Sequence, residues 1–235
     1  MKRFSLLNIV ALLMCSAFAV AAPAAGNGAL DKVLNRMDAA ATNFTTAQAA
    51  FDWDQYTKVV DEHDTQKGAI YFRRHSKEVQ MAANITSHNG QPDKKYVLYT
   101  DSTIQVFQPS MDQITKYEVG KNKSEVESFL VLGFGGGGHD LLQSFDVKYL
   151  GTEKIGNTDT AKLELTPHSA SVRNNFNRII LWINPENGVS LQQQLFSPSG
   201  DYRLARYSDI KLHERIPDDV FKIKKNASTK IVTAK

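Results

Sequence analysis

Val79-Gln80-Met81-Ala82-Ala83-Asn84-Ile85-Thr86 decides the fold class of this chain. Val79, Met81, Ala83 and Ile85 alternate with Gln80, Ala82, Asn84 and Thr86, a period of two that gives one dry face and one wet face. The same alternation returns where Ala161, Leu163 and Leu165 interleave with Lys162, Glu164 and Thr166. Between such runs, turn formers cluster at 88–93, 109–112, 151–159, 184–188 and 197–201. Strands joined by turns this short form an antiparallel meander.

Other strands are apolar on both faces: Ile70-Tyr71-Phe72, Tyr96-Val97-Leu98-Tyr99, and 179–183 around Trp182. A strand of that kind must pack one face on helices or enclose something apolar. A helix is available upstream. Leu30, Val33, Leu34, Met37 and Ala41 recur at helical spacing, with Asp31, Lys32, Asn35, Arg36 and Asp38 between them. A second interruption falls at 124–142. Ser124 and Glu127 fit a capping box, and Val126, Phe129, Leu130 and Leu132 follow as an apolar turn and a half. Gly133, Phe134, four glycines and His139 come next, and Leu141 with Leu142 suggests another short helix. Helices flanking a glycine run form a cover over the sheet.

The first residues read as a cleaved export signal. Lys2 and Arg3 precede an apolar stretch to Val20, and Ala17, Ala19, Ala21 and Ala22 offer small-residue cleavage sites. The stretch is shorter than the roughly 20 residues of a membrane-spanning helix. We therefore expect a signal peptide over 1–22, a single domain over 23–235, and a periplasmic location. Cys15 is the one cysteine and lies in the leader, so the mature chain has no disulfide, thiolate metal site or cysteine nucleophile. Met14 before Cys15 does not suit a lipidation signal, whereas the downstream alanines suit ordinary cleavage.

Charge narrows the partners. The formal net charge is +3, falling to +1 without Lys2 and Arg3, which argues against nucleic acid. The glycine run ends in His139 and Asp140, not in the Lys and Ser or Thr of a phosphate loop, so it reads as a hinge or a tight packing turn. No histidine falls in a metal-binding pattern, and no nucleophile elbow is present. Asp52, Asp54 and His139 are the least implausible residues for a hydrolase, against solvated or capping roles. We expect no cofactor, no metal and no catalytic residue.

Arg73 and Arg74 follow the apolar strand Gly68 to Phe72 and project to opposite faces. If Ile70 and Phe72 face an enclosed apolar space, Arg74 is a cation at its rim. It then needs acceptors from backbone carbonyls or a carboxylate.

The order of these motifs resembles the LolA-type periplasmic lipoprotein carriers of the lipoprotein-sorting superfamily. Gly68-Ala69-Ile70-Tyr71-Phe72-Arg73-Arg74 is similar to that family's strand into its Arg-Pro step, with His75 in place of the proline. Ile104-Gln105-Val106-Phe107-Gln108-Pro109 with Gln113-Ile114 resembles its hairpin. Leu163-Glu164-Leu165-Thr166-Pro167, Ser199-Gly200-Asp201 and Ile216-Pro217-Asp218-Asp219-Val220-Phe221 complete the series.

The resemblance implies a mainly β (α+β) fold. Its half-closed antiparallel β-barrel carries an N-terminal helix and a helical lid around residues 124–142. It also implies that Arg74 helps hold the lid over an apolar cavity, with Phe129, Leu130 and Phe134 on the lid. Phe51, Trp53, Ile70, Phe72, Met81, Leu98, Val106 and Leu181 are the expected lining. The implied function is transport of the acyl chains of lipoproteins or related lipids toward the outer membrane. A monomer would work between an inner-membrane ABC exporter and an outer-membrane acceptor. A sensor or scaffold of the same fold, and less so an envelope lipid hydrolase, stand beside that reading.

Overall fold

The computed structural model describes residues 25–75, 78–120 and 132–234. The leader expected over 1–22, and Phe129 and Leu130 of the expected lid, lie outside the described residues. The chain runs α1 (Ala25–Thr42), β1 (Thr46–Thr57), β2 (Glu62–His75), β3 (Glu78–His88), β4 (Gln91–Thr100) and β5 (Thr103–Gln108). A 3-10 turn (Pro109–Met111) leads to β6 (Gln113–Glu118), then α2 (Gly138–Ser144), β7 (Phe145–Ile155), β8 (Thr158–Pro167) and α3 (Ala170–Arg173). The rest is β9 (Arg178–Ile183), β10 (Ser190–Phe196), β11 (Tyr202–Leu212), a 3-10 turn (Asp218–Phe221) and β12 (Lys230–Ala234).

Among the described residues the strands form one twelve-stranded open sheet, ordered β12-β6-β5-β4-β3-β2-β1-β11-β10-β9-β8-β7. It is mainly β with a few helices, one of them N-terminal, as the sequence implied. Neighbours pair antiparallel except at one edge, where β12 joins β6 in parallel after a long return of the chain. Hairpins close on residues their turns require: Asn89 and Gly90 have φ of +48° and +75°, the left-handed pair of a two-residue loop between β3 and β4.

The sheet's inner face carries the core. Val33, Leu34 and Met37 of α1 are buried against Leu163, Leu165, Ile179, Leu181 and Ile183 on β8 and β9. Each such leucine contributes about 1.5–3 kcal/mol on leaving water, so α1 is held by packing more than by propensity. The other half of the inner face follows from register. Ala47 and Ala49 on β1 lie opposite Phe72 and Ile70 on β2, which lie opposite Met81 and Ala83 on β3.

The outer face of β2–β4 is covered by the chain's own C-terminal strap. Tyr71, Ala82 and Leu98 pack under Ile216, Val220, Phe221 and Ile223. Arg73 fastens the strap. Its Nε and Nη2 donate to Gln80 Oε1 at 3.1 and 2.7 Å, its Nη1 donates to Asp218, and its guanidinium lies 4.2 Å from the centre of the Phe221 ring. These strands are therefore apolar on both sides because both sides are covered.

Candidate functional site

Register assigns a face to each expected lining residue. Phe51, Ile70, Phe72 and Met81 are buried together on the inner face, with Trp53 packed against them. Leu181 is fully buried on the same face under α1, and Val106 lies there opposite Val97. Leu98 lies on the outer face, in the cluster beneath the strap. The reason is local: Tyr96-Val97-Leu98-Tyr99 has no polar residue to mark a face, and pairing places Val97 opposite Ala83 but Leu98 opposite Ala82.

Among the described residues two elements cover the inner face: α1 and the segment from Leu132 to α2. Phe134 is 1% exposed, stacks on Phe72 at 5.1 Å between ring centres, and meets Tyr207 edge-on at 4.8 Å. The glycines after it permit this close seating. Gly135 has φ of +82°, and a Cβ there would come within 2.5 Å of the Phe44 ring. A Cβ on Gly138 would run into the Leu34 carbonyl and Cα, so α1 and α2 meet backbone to backbone. The glycine run is a packing device that joins the cover to α1.

Polar groups fasten this cover on three sides. Arg74, at the end of β2, donates from Nη1 to the Ala41 carbonyl at 3.3 Å and from Nη2 to the Gly135 carbonyl at 3.1 Å. Its acceptors are thus backbone carbonyls, one from α1 and one from the glycine segment. On α1, Asp38 accepts from the His139 backbone N–H at 3.0 Å and pairs with the imidazole, serving as a cap for α2. Burial alone would raise the Asp38 carboxyl, but the His139 hydrogen bonds outweigh it and hold the group below its ordinary value. On β10, the Gln193 amide donates to the Leu132 carbonyl, and the Ser190 N–H donates to the Gly133 carbonyl at 2.9 Å.

Asp38, Ser190, Gln193 and Tyr207 escaped the sequence reading. Gln193 sits in Leu191-Gln192-Gln193-Gln194-Leu195, where nothing alternates, so its inward direction has no sequence signal. The Asp38–His139 pair joins residues of unrelated segments and is equally silent.

Cavities flank the cover, two of them larger than about 300 Å³. One, of about 440 Å³, lies beside Arg74 and is walled by the backbone of Gly133 and Gly135–Gly137 with Ala41, Val79, Leu141 and Phe145. The other, of about 360 Å³, lies toward the β1–β2 and β10–β11 hairpins. Its walls are Trp53, Leu195, Ala205 and Tyr207 with Gln193, and its rim is Gln55, Asp64, Gln66 and Arg203. The candidates for hydrolysis do not converge: Asp52 pairs with Lys67 at 2.8 Å, Asp54 with His63 at 2.7 Å, and His139 with Asp38. Among the described residues no group of three or more His, Cys, Asp or Glu is placed to hold a metal ion.

Comparison with known proteins places this architecture. An uncharacterized conserved protein from Thermus thermophilus superposes with a TM-score of 0.57 at 10% identity, over 88% of this chain and 99% of that one. MucB superposes with a TM-score of 0.52 at 14% identity, over 87% of this chain and 66% of that one. The lipoprotein LppX of Mycobacterium tuberculosis gives a TM-score of 0.49 at 16% identity, over 81% and 98%. No curated protein matches in sequence. The family model described as outer membrane lipoprotein carrier protein LolA matches residues 42–224, which is most of the chain and of its sheet, and the chain belongs to the LolA family.

Proposed function

We propose that the protein is a non-enzymatic carrier. It binds the acyl chains of lipoproteins or related lipids on the inner face of its sheet and moves them across the periplasm toward the outer membrane. One observation carries the reading: an apolar inner face lies beneath a cover that packs on it through Leu34, Met37 and Phe134 and is fastened at its edges by a few hydrogen bonds, with Arg74 bridging α1 and the glycine segment. An acyl chain in water costs about 0.8 kcal/mol per methylene, so unaided crossing of an aqueous gap is prohibitive. A hydrogen bond to a charged group is worth about 1.5–3 kcal/mol, and less where water competes, as it does at Arg74. The Arg74 latch is then balanced by a handful of buried methylenes, so cargo is able to open it.

Export through a cleaved leader at residues 1–22 supplies the location, and the folded domain over 23–235 works as a monomer. An inner-membrane ABC exporter would load it, because the periplasm is not expected to supply ATP, and an outer-membrane acceptor would unload it. A second reading is a sensor or scaffold domain of the same fold that binds a lipid or protein partner stably.

Transfer separates the two. Acylated cargo incubated with the protein should pass from donor to acceptor vesicles held apart, and Arg74→Leu should change the transfer rate several-fold while the circular dichroism spectrum stays the same. Cargo that never leaves the donor, with a stable protein complex formed instead, would favour the sensor. Identical rates for Arg74→Leu would remove its gating role.

A further inference from the structure

The 360 Å³ cavity lies beside the cover on a part of the inner face that the cover leaves open. Phe51, Ile70, Phe72, Met81 and Leu181 are sealed under α1 and Phe134, whereas Trp53, Leu195 and Ala205 keep partial exposure. Cross-strand pairing makes these residues one patch: Trp53 lies opposite Ala205, Ala205 opposite Gln193, and Arg203 opposite both Gln55 and Leu195. Its volume is at the small end of the roughly 300–1,000 Å³ typical of ligand sites, enough for part of one chain.

The rim of this cavity carries acceptors, Asp64 with Gln55 and Gln66, whereas its inner end carries two weakly used donors, Trp53 and Tyr207. The Trp53 indole N–H is buried, and its neighbour is the Tyr207 hydroxyl, with which it closes no well-formed hydrogen bond. Tyr207 is partly exposed along its ring but buried at its hydroxyl, which burial keeps protonated by raising its pKa. That hydroxyl donates to Gln193 Oε1 at a long 3.4 Å. A buried donor without an acceptor costs about 1–3 kcal/mol, so a ligand bringing a carbonyl here recovers that cost. An apolar wall with two underused donors at its inner end fits an acyl chain that carries an ester or amide carbonyl.

We propose that this cavity is the seat for the carbonyl end of one acyl chain, reached from the Gln55–Arg203 rim, at the end of the sheet opposite Arg74. The assignment rests on the acyl-carrier reading and deepens it. Trp53 and Tyr207 donate to the carbonyl, and the chain lies along Leu195 and Ala205. Gln193 forms the inner wall and also holds the Leu132 carbonyl, so a ligand that draws Tyr207 away from Gln193 disturbs the β10 fastening of the cover.

The chain has two tryptophans, Trp53 in this cavity and Trp182 on the outer face of β9, paired opposite Lys162 and Gln192. Trp182→Phe, with Trp182→Tyr as the alternative should the first fold poorly, leaves Trp53 as the sole emitter. The probe is a stearoyl lysophospholipid brominated on its acyl chain, with binding counted independently by native mass spectrometry. Bound probe should quench most of the Trp53 emission, and Ala205→Phe, which fills the cavity, should weaken binding about tenfold or more. Probe that binds without quenching Trp53, or that binds Ala205→Phe as tightly as the parent, would overturn the seat while leaving acyl binding intact. A protein that takes up no probe at all by mass spectrometry would overturn the acyl-carrier reading and the seat with it.

Discussion

The two ends of the inner face are built from different materials. At the Arg74 end the walls are largely backbone: carbonyls of Ala41 and Gly135 receive the guanidinium, and glycines let Phe134 and α2 settle onto Phe44 and Leu34. At the hairpin end the walls are side chains, with Trp53, Leu195, Tyr207 and Gln193 around a cavity whose inner wall touches the cover at Leu132 and Phe134. Backbone contacts are short and intolerant of added atoms, which suits a fixed docking of α1, α2 and the glycine segment. Side-chain walls rearrange by rotamer, which suits contact with a variable ligand. The difference assigns the closest backbone docking to one end and reception to the other, with Gln193 fastening the cover from the receiving side.

The sharpest way to break this contrast is Gly138→Val. Its side chain would enter the Leu34 backbone of α1, and overpacking of this kind should cost about 3 kcal/mol, read as a lower urea midpoint. An unchanged midpoint would mean that α1 and α2 do not meet as described. Gly135→Ala should cost about 2 kcal/mol, combining left-handed strain with contact against the Phe44 ring. It should also speed hydrogen exchange through the glycine segment and spare the β10–β11 hairpin. Equal effects at both ends would dissolve the distinction.

Gly200→Ala is the matching change at the hairpin end. Its φ is +88°, but the atom it would meet is the flexible end of Lys58, so strain alone should cost about 1 kcal/mol. Binding of acyl probes should not change. The smallest effect is expected at Asp38. The Asp38–His139 pair is about half exposed, so Asp38→Asn should lose only about 0.5 kcal/mol at neutral pH. Because the folded carboxyl is held below the ordinary value of 3.8, its contribution is present above that value and fades as pH falls through the lower folded one. Thermal melts of the two proteins should differ by a constant amount down to about pH 5 and converge in stronger acid. A gap that widened in acid would contradict the assignment.

How far the sequence could be read follows the same division. Val79–Thr86 and Ala161–Thr166 disclosed their faces because Gln80, Asn84 and Thr86 mark one face of the first and Lys162, Glu164 and Thr166 one face of the second, and α1 disclosed its stripe at Val33, Leu34 and Met37. Leu98 did not, since the run Tyr96–Tyr99 has no polar residue to mark a face and only register against Ala82 sets its direction. The covering of that outer face by Ile216 and Phe221 arises from contacts between distant segments, and no local pattern encodes them. Arg74 was legible as a cation at an apolar rim in need of acceptors. The identity of those acceptors was not, because backbone carbonyls leave no trace in the choice of residue. Gln193 and Asp38 were hidden for a related reason: each acts through a partner more than sixty positions away.

The central claim is that the inner face holds acylated molecules in the cell. Native mass spectrometry and lipid extraction of the protein purified from its own envelope test it most directly. The account predicts a co-purifying species that carries acyl chains and that a competing acyl ligand displaces. A protein that emerges empty, and takes up no acylated ligand when offered one, would contradict it.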